Sequence, residues 1–312
     1  MYFYKLSNLH INCGIIDSCS FYGDVSLLLR NINLNCYDLN MNTFGPYINI
    51  INMTCNTNSY NTFTNINNIN INGFSFSACT FTYINMINIT INKLLTCKFD
   101  SICELNISAR EIENISLSSI NMVNFNCSSI ITTNNIKYNL FTDITICNLT
   151  YDTIMAIALR KIGILKIIGW VIQNSTLSSN SDYMWSDITS CLITCRTFRY
   201  IKFNTIEHFT ITGDVIHNVS GIRCARLHLD AFQVSNFSIT GTGGSSVNNG
   251  VACISAVVSI NSCNFKIFDL LQLNAYTITK NTLQARALLW TRFTKKDNMC
   301  TITKMAGGAA LM

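Results

Sequence analysis

Apolar and polar residues alternate along most of this chain. In segments 66–72 and 84–92, isoleucine or methionine occupies one set of positions and asparagine or threonine the other. A period of two residues is typical of a β-strand with one buried face. The pattern therefore predicts many short strands, with apolar side chains on the inner face and amides on the outer face.

A short phrase recurs between the alternating segments. It consists of a small or polar residue, a cysteine, another small residue and an aromatic or aliphatic residue, and it occurs at 17–21, 77–81, 95–99, 145–149 and 261–265. Cysteines recur along the chain at similar intervals, at Cys19, Cys36, Cys55, Cys79 and Cys97. Repetition at about the length of one coil predicts a solenoid, in which each coil contributes two or three strands.

These phrases and segments resemble the right-handed parallel β-helix superfamily, which includes the pectate-lyase-like and viral tailspike folds. The resemblance covers about residues 8–268. It implies an all-β, single-stranded parallel solenoid, in which equivalent side chains stack about 4.8 Å apart. It also implies a homotrimer, as is common among tailspikes.

In such a solenoid the recurring cysteines and aromatic residues would form the interior. We expect asparagines to form ladders at the turns, because asparagine tolerates the left-handed backbone region. The predicted core ladder consists of Cys19, Phe21, Cys79, Phe81, Cys97, Phe99, Cys147, Cys263 and Phe265.

Composition supports a packed core. Hydrophobic residues make up 49% of the chain and aromatic residues 11%, which argues against a disordered Asn-rich tract. Charged residues make up 12%, so a surface of asparagine, serine and threonine is expected to associate readily. The net charge is +5, and the basic residues are scattered along the chain. We therefore expect no nucleic-acid partner.

The chain contains 15 cysteines, an odd number that cannot pair completely within one chain. Their recurrence favours a ladder of reduced, buried thiols. Cys191 and Cys195 form a C-x3-C pair upstream of His208, His217 and His228, but a second close ligand pair is missing. We therefore expect neither a metal nor another cofactor.

The N-terminus lacks the sustained apolar run of a secretion signal, which predicts synthesis in a cytoplasm. The most apolar stretch, 153–172, contains Arg160, Lys161 and Lys166, so we expect no membrane span. Residues 1–268 are predicted to form the solenoid, with loop insertions near 178–190 and 241–250. Residues 269–312 are predicted to be a C-terminal cap or oligomerisation segment.

The sequence leaves three function classes open. The first is a structural virion protein, such as a spike, fibre or decoration, that associates with other virion proteins and attaches to a host surface. The second is a non-catalytic module that binds glycan or protein. Aromatic, basic and acidic residues concentrate after residue 180, and the candidate glycan-binding residues are Tyr183, Trp185, Asp187, Arg196, Arg199, Glu207 and His208.

The third class is a polysaccharide-degrading enzyme. A glycoside hydrolase requires two carboxyl groups held about 5 to 9.5 Å apart. Asp182, Asp187, Glu207 and Asp214 are the concentrated carboxylates, but the Asp pairs and Arg motifs of β-helix enzymes are not recognisable. We therefore assign no catalytic residue and favour the structural class.

Overall fold

The computed structural model describes residues 7–23, 29–130, 139–173, 184–241, 251–279, 281–290 and 301–304 of the 312-residue chain. Every regular element in these ranges is a β-strand. In chain order the strands are β1 (Asn8–Asp17), β2 (Ser20–Phe21), β3 (Leu29–Asn40), β4 (Thr43–Phe44), β5 (Ile48–Ser59), β6 (Thr62–Ser77), β7 (Thr80–Leu95), β8 (Lys98–Glu113), β9 (Ser116–Ile130), β10 (Asn139–Met155), β11 (Ile157–Gln173), β12 (Trp185–Arg199), β13 (Lys202–Gly241), β14 (Val251–Asn261), β15 (Asn264–Thr279), β16 (Thr282–Trp290) and β17 (Thr301–Lys304).

Strands pair in parallel with their equivalents one coil away. Ile69 of β6 lies beside Ile87 of β7, which lies beside Leu105 of β8. All three side chains are buried, while the residues that alternate with them point outward. This register stacks like residues in columns, and it confirms the predicted all-β parallel solenoid.

The chain divides into two compact units, Met1–Asp152 and Thr153–Met312. In unit 1, the long strands pair successively in the order β1, β3, β5, β6, β7, β8 and β9. The short strand β2 pairs with β4, which pairs with the start of β6. In unit 2, strands β11 to β17 pair successively in the same parallel manner.

A stack of phenylalanine rings runs through the interior of unit 1. Neighbouring ring centroids lie 4.7 to 4.8 Å apart and the ring planes are within 7° of parallel. This separation matches the spacing of paired strands, so the backbone ladder itself aligns the rings. The stacked residues are Phe21, Phe44, Phe63, Phe81 and Phe99, all buried.

Left-handed backbone conformations mark the corners of the coils. In unit 1, Met41, Tyr60, Ala78 and Thr96 each have φ between 50° and 55°. The backbone N–H of each donates to a carbonyl of the next coil at 2.9 to 3.1 Å, for example from Ala78 to Leu95. Pairing between coils therefore stabilises a conformation that non-glycine residues rarely adopt.

The longest asparagine ladder lies on the strands and not at the turns, where the sequence predicted it. The corner positions hold serine, methionine, tyrosine, alanine and threonine as well as asparagine. The continuous asparagine column lies on the outer face of the strands, where parallel pairing brings equivalent amides within hydrogen-bonding distance. The predicted stacking of asparagines is therefore confirmed, but its continuous column lies on the strands, while Asn42 and Asn61 stack at a coil corner.

Buried asparagines form hydrogen bonds with backbone groups at several coil corners. Asn42 and Asn61 are each 1% exposed. The Asn61 Oδ1 accepts the Asn42 backbone N–H at 2.6 Å, and its Nδ2 donates to the Leu39 carbonyl at 2.8 Å. Asn281 of unit 2 repeats the arrangement, because its Oδ1 accepts the Cys263 N–H at 2.7 Å. These amides satisfy backbone groups that the turns leave unpaired.

The cysteines do not form one series. Cys19, Cys79 and Cys97 share a corner column with Asn42 and Asn61. A second column runs through the strands, where Cys13 pairs with Cys36, which pairs with Cys55. Cys147 lies in a third position, directly before Asn148 of β10. The cysteines that recur at similar intervals in the sequence therefore belong to different columns of the structure.

The parallel register continues past residue 268, the predicted end of the solenoid. Leu271 of β15 pairs with Ala252 of β14 and with Leu288 of β16. Of the predicted loops, residues 185–190 belong to β12, while 178–183 and 242–250 lie outside the described residues. The same applies to 291–300 and 305–312 of the predicted C-terminal segment.

Candidate functional site

A column of hydrogen-bonded amides crosses the outer face of unit 1. Each asparagine donates from Nδ2 to the Oδ1 of its equivalent in the preceding coil, at 2.8 to 3.0 Å. At the first rung, Asn33 Nδ2 lies 3.2 Å from Nδ1 of His10. We call this column the amide ladder; it consists of Asn33, Asn52, Asn70, Asn88, Asn106, Asn124 and Asn148.

A second outward row runs beside the amide ladder, two residues further along each strand. Its side chains are exposed amides and hydroxyls, in the order Asn12, Asn35, Thr54, Asn72, Thr90, Ser108 and Asn126. The two rows explain several Asn-x-Ser/Thr sequences, such as Asn88-Ile-Thr90 and Asn106-Ile-Ser108. These arise from ladder geometry, because the residue between each pair points inward.

The two rows line a shallow depression of about 510 Å³ at the first coils of unit 1. Asn33, Asn52 and Asn70 of the amide ladder lie there beside Asn35 and Asn72 of the second row. Among the described residues, those lining the depression include no Asp, Glu, Lys or Arg. On the other side of the amide ladder, half-buried apolar and polar residues alternate from coil to coil, in the order Ile50, Asn68, Met86, Glu104 and Met122.

Each ladder hydrogen bond uses one N–H and one acceptor lone pair of an amide. A primary amide has two N–H donors and two acceptor lone pairs. The outer edge of the amide ladder can therefore bond hydroxyl groups while the ladder stays intact. A surface of aligned amides, hydroxyls and nearby apolar groups is suited to a neutral polyhydroxylated ligand.

Unit 2 separates those of the predicted site residues that the structure describes. Trp185 is fully buried, and its Nε1 donates to the Ile157 carbonyl at 3.2 Å. It is a core residue and cannot stack on a sugar without unfolding of the coil. Tyr183 lies outside the described residues. Asp187 occupies a left-handed corner with φ of 55°, exposed to solvent.

Arg196 lies in an exposed cluster that the sequence did not reveal. Its guanidinium carbon is 5.4 Å from the ring centroid of Trp170, and its Nε is 3.4 Å from Oδ2 of Asp214. Trp170 is 58% exposed. A coil offset of 26 residues brings Trp170 beside Arg196, and nothing in the local sequence indicates that offset.

Arg199 is engaged elsewhere on the solenoid. Its Nε donates to Oε1 of Gln173 at 2.6 Å, and its guanidinium carbon lies 5.7 Å from the Tyr200 ring centroid. Glu207 and His208 are exposed in β13. The six candidates that the structure describes therefore do not converge on one site.

His208 instead lines a second depression, of about 580 Å³. The next coil supplies Arg226 and His228. These residues lie 18 positions after His208 and Thr210. The same offset separates the hydrogen-bonded pair His217 and Ser235. Arg226 pairs in turn with Val251, and His228 with Cys253. The sequence analysis placed His208 among the glycan-binding candidates and named His228 only beside the C-x3-C pair, and it missed Arg226.

Burial keeps the thiols of Cys195, Cys224 and Cys263 protonated at neutral pH. Burial raises the pKa of Cys224 and of Cys263 to about 12. Burial, with a smaller effect from the Asp214 carboxylate, raises the pKa of Cys195 to about 12. Cys191 and Cys195 are both buried, and the described residues contain no group of three His, Cys, Asp or Glu side chains placed to hold a metal.

Fold and surface together define the class: a parallel β-solenoid with hydrogen-bonded side-chain ladders on its outer face. No protein-family model, curated protein or solved structure significantly matches the chain. Within the described ranges, no helix is long and apolar enough to cross a membrane.

Proposed function

We propose that this protein is a structural, non-catalytic component of a virus particle, whose outer sheet face binds a neutral host-surface polysaccharide. The observation that carries the proposal is the amide ladder. Its head-to-tail hydrogen bonds, at 2.8 to 3.0 Å, hold the amides of successive coils in one orientation. A surface ordered in this way binds with little loss of side-chain entropy.

The chemistry of the face supports a neutral sugar polymer. Sugar hydroxyls both donate and accept hydrogen bonds, as amides do, and sugar rings carry apolar faces that suit Ile50, Met86 and Met122. The depression on unit 1 lacks charged carboxylate, ammonium and guanidinium groups within the described residues. Binding there would therefore depend weakly on salt.

The particle assignment draws on the resemblance to right-handed β-helices of the tailspike type and on the low content of charged residues. A solenoid in which each coil repeats the contacts of the coil before it suits a role in which the protein gives the particle stiffness. The corresponding assembly is a homotrimer packed with other virion proteins. Light scattering of the purified 35.0 kDa chain would then give about three times the chain mass. A monomer at all concentrations would contradict the trimer.

The binding proposal is tested with insoluble and soluble neutral polysaccharides. The double variant Asn35→Ala, Asn72→Ala removes two exposed amides from the depression. The matched control Asn56→Ala, Asn92→Ala removes two half-buried amides from another outward position of β5 and β7. We expect the first variant to lose at least about tenfold in affinity and the control to keep it.

Equal losses in both variants would contradict binding in the depression that the amide ladder and the second row line. The same incubations are assayed for new reducing ends and unsaturated products. Their appearance with wild-type protein, and their loss in Asp187→Asn, would overturn the non-catalytic proposal in favour of a polysaccharide-degrading enzyme. Finding the protein absent from purified particles would overturn the virion assignment.

A further inference from the structure

The depression beside His208 on unit 2 differs in chemistry from the amide face. Its lining side chains come from adjacent coils: His208 and Thr210 from one, Arg226 and His228 from the next, and Val251 and Cys253 from the third. His208, Arg226 and His228 are all exposed. Three nitrogen-bearing side chains therefore surround one shallow space of about 580 Å³.

The electrostatics of this space favour an anion. Among the described residues, the lining includes no carboxylate. Arg196 is bound to Asp214 and Arg199 to Gln173, whereas the Arg226 side chain forms no ion pair within the described ranges. An unpaired guanidinium presents a planar fork of N–H donors suited to an oxyanion. The imidazoles of His208 and His228 beside it offer further ring N–H donors.

We propose that the depression formed by His208, Arg226 and His228 binds the tetrahedral oxyanion of a sulfate or phosphate monoester. Three donor groups from two coils can each meet a different terminal oxygen of a tetrahedral anion. A carboxylate has two oxygens and leaves one donor group unused. Thr210 and the apolar Val251 line the same depression, and they would contact a sugar ring that carries the sulfate ester.

The ligand class is therefore a sulfated glycan. A nucleic-acid partner fits less well, because its phosphates are diesters with two terminal oxygens and its binding requires many basic contacts in a row. This site lies on unit 2 and its ligand is anionic, so it is independent of the neutral-polysaccharide proposal for unit 1.

The test measures the affinity of the full-length protein for dextran sulfate, polygalacturonate, unmodified dextran and duplex DNA. Inorganic sulfate and inorganic phosphate serve as competitors, and they distinguish the two oxyanions. The variants are Arg226→Gln and the double variant His208→Gln, His228→Gln. The matched control is Lys202→Gln, which removes an exposed positive charge elsewhere on β13.

We expect dextran sulfate to bind most tightly. Arg226→Gln should weaken that binding by at least about tenfold, while Lys202→Gln changes it less than about twofold. Equal losses in Arg226→Gln and Lys202→Gln would show unspecific charge attraction and overturn the site. Tighter binding of polygalacturonate would overturn the tetrahedral ligand, and tighter binding of DNA would replace the glycan with nucleic acid. Thermal melting of each variant verifies that the solenoid remains folded.

Discussion

The ring of Phe203 occupies the space that a side chain at residue 221 would need. A Cβ added to Gly221 would lie 2.1 Å from Cζ of Phe203 and 2.2 Å from its Cε2. Phe203 is itself only 3% exposed. The two residues are one coil apart, so the missing side chain of one makes room for the ring of the other.

We therefore expect Gly221→Ala to destabilise the protein by about 1 to 3 kcal/mol through overpacking. Urea denaturation measures the change. The double variant Phe203→Leu, Gly221→Ala should be more stable than the sum of the two single variants predicts, since the smaller side chain relieves the clash. Gly14→Ala is the control, because its Cβ would meet no atom within 4 Å. Additive effects in the double variant would contradict the contact.

The buried amide of Asn61 gives a second prediction. It bonds the Asn42 N–H and the carbonyls of Leu39 and Ser59. Asn61→Ala leaves these buried backbone groups without their partner, and we expect a loss of about 2 to 4 kcal/mol in the free energy of unfolding. Asn72→Ala removes an exposed amide and should change stability by less than about 0.5 kcal/mol. A similar small change in both variants would show that water replaces the Asn61 amide.

The phenylalanine stack predicts large and unequal losses of stability. Phe81 lies between Phe63 and Phe99, with centroids 4.7 and 4.8 Å away. Phe81→Ala should cost about 3 to 5 kcal/mol, because it removes a fully buried ring together with its stacking contacts to both neighbouring rings. Phe81→Leu retains the apolar volume and should cost less. Unchanged thermal stability in Phe81→Ala would contradict a close-packed interior.

The raised thiol pKa values predict a loss of stability at high pH. The ordinary pKa is 9.0, and burial raises that of Cys263 to about 12 in the folded protein. Below pH 9 the thiol is protonated in both states. Between pH 9 and 12 only the unfolded state releases the proton, so stability falls as pH rises, by up to about 1.4 kcal/mol per pH unit for each such thiol.

Cys263→Ala isolates this effect. The variant should be less stable than wild type at pH 8, because it leaves a cavity. At pH 10 the deficit should shrink by about 1.4 kcal/mol, since the variant lacks the titrating thiol. Urea midpoints at the two pH values measure the difference. A deficit that is equal at pH 8 and pH 10 would show that the Cys263 thiol is not desolvated.

The sequence by itself determined the fold class and the inside and outside of each strand. Alternation such as that in 66–72 places isoleucine on one face and asparagine on the other, because successive side chains of a strand point in opposite directions. Repetition at about one coil then leaves parallel stacking as the arrangement that buries every apolar face. Phe21, Phe81, Phe99 and Phe265 lie in the interior for this reason.

Only the tertiary structure decided which residues meet between coils. The offset between equivalent positions is 18 residues from Asn70 to Asn88, 24 from Asn124 to Asn148 and 26 from Gln173 to Arg199. Because the offset varies with each corner, the linear sequence could not show that Trp170 meets Arg196 or that Arg226 and His228 surround the same space as His208. A strand's face is a local property of the backbone, whereas its neighbour one coil away is set by the length of the whole intervening coil.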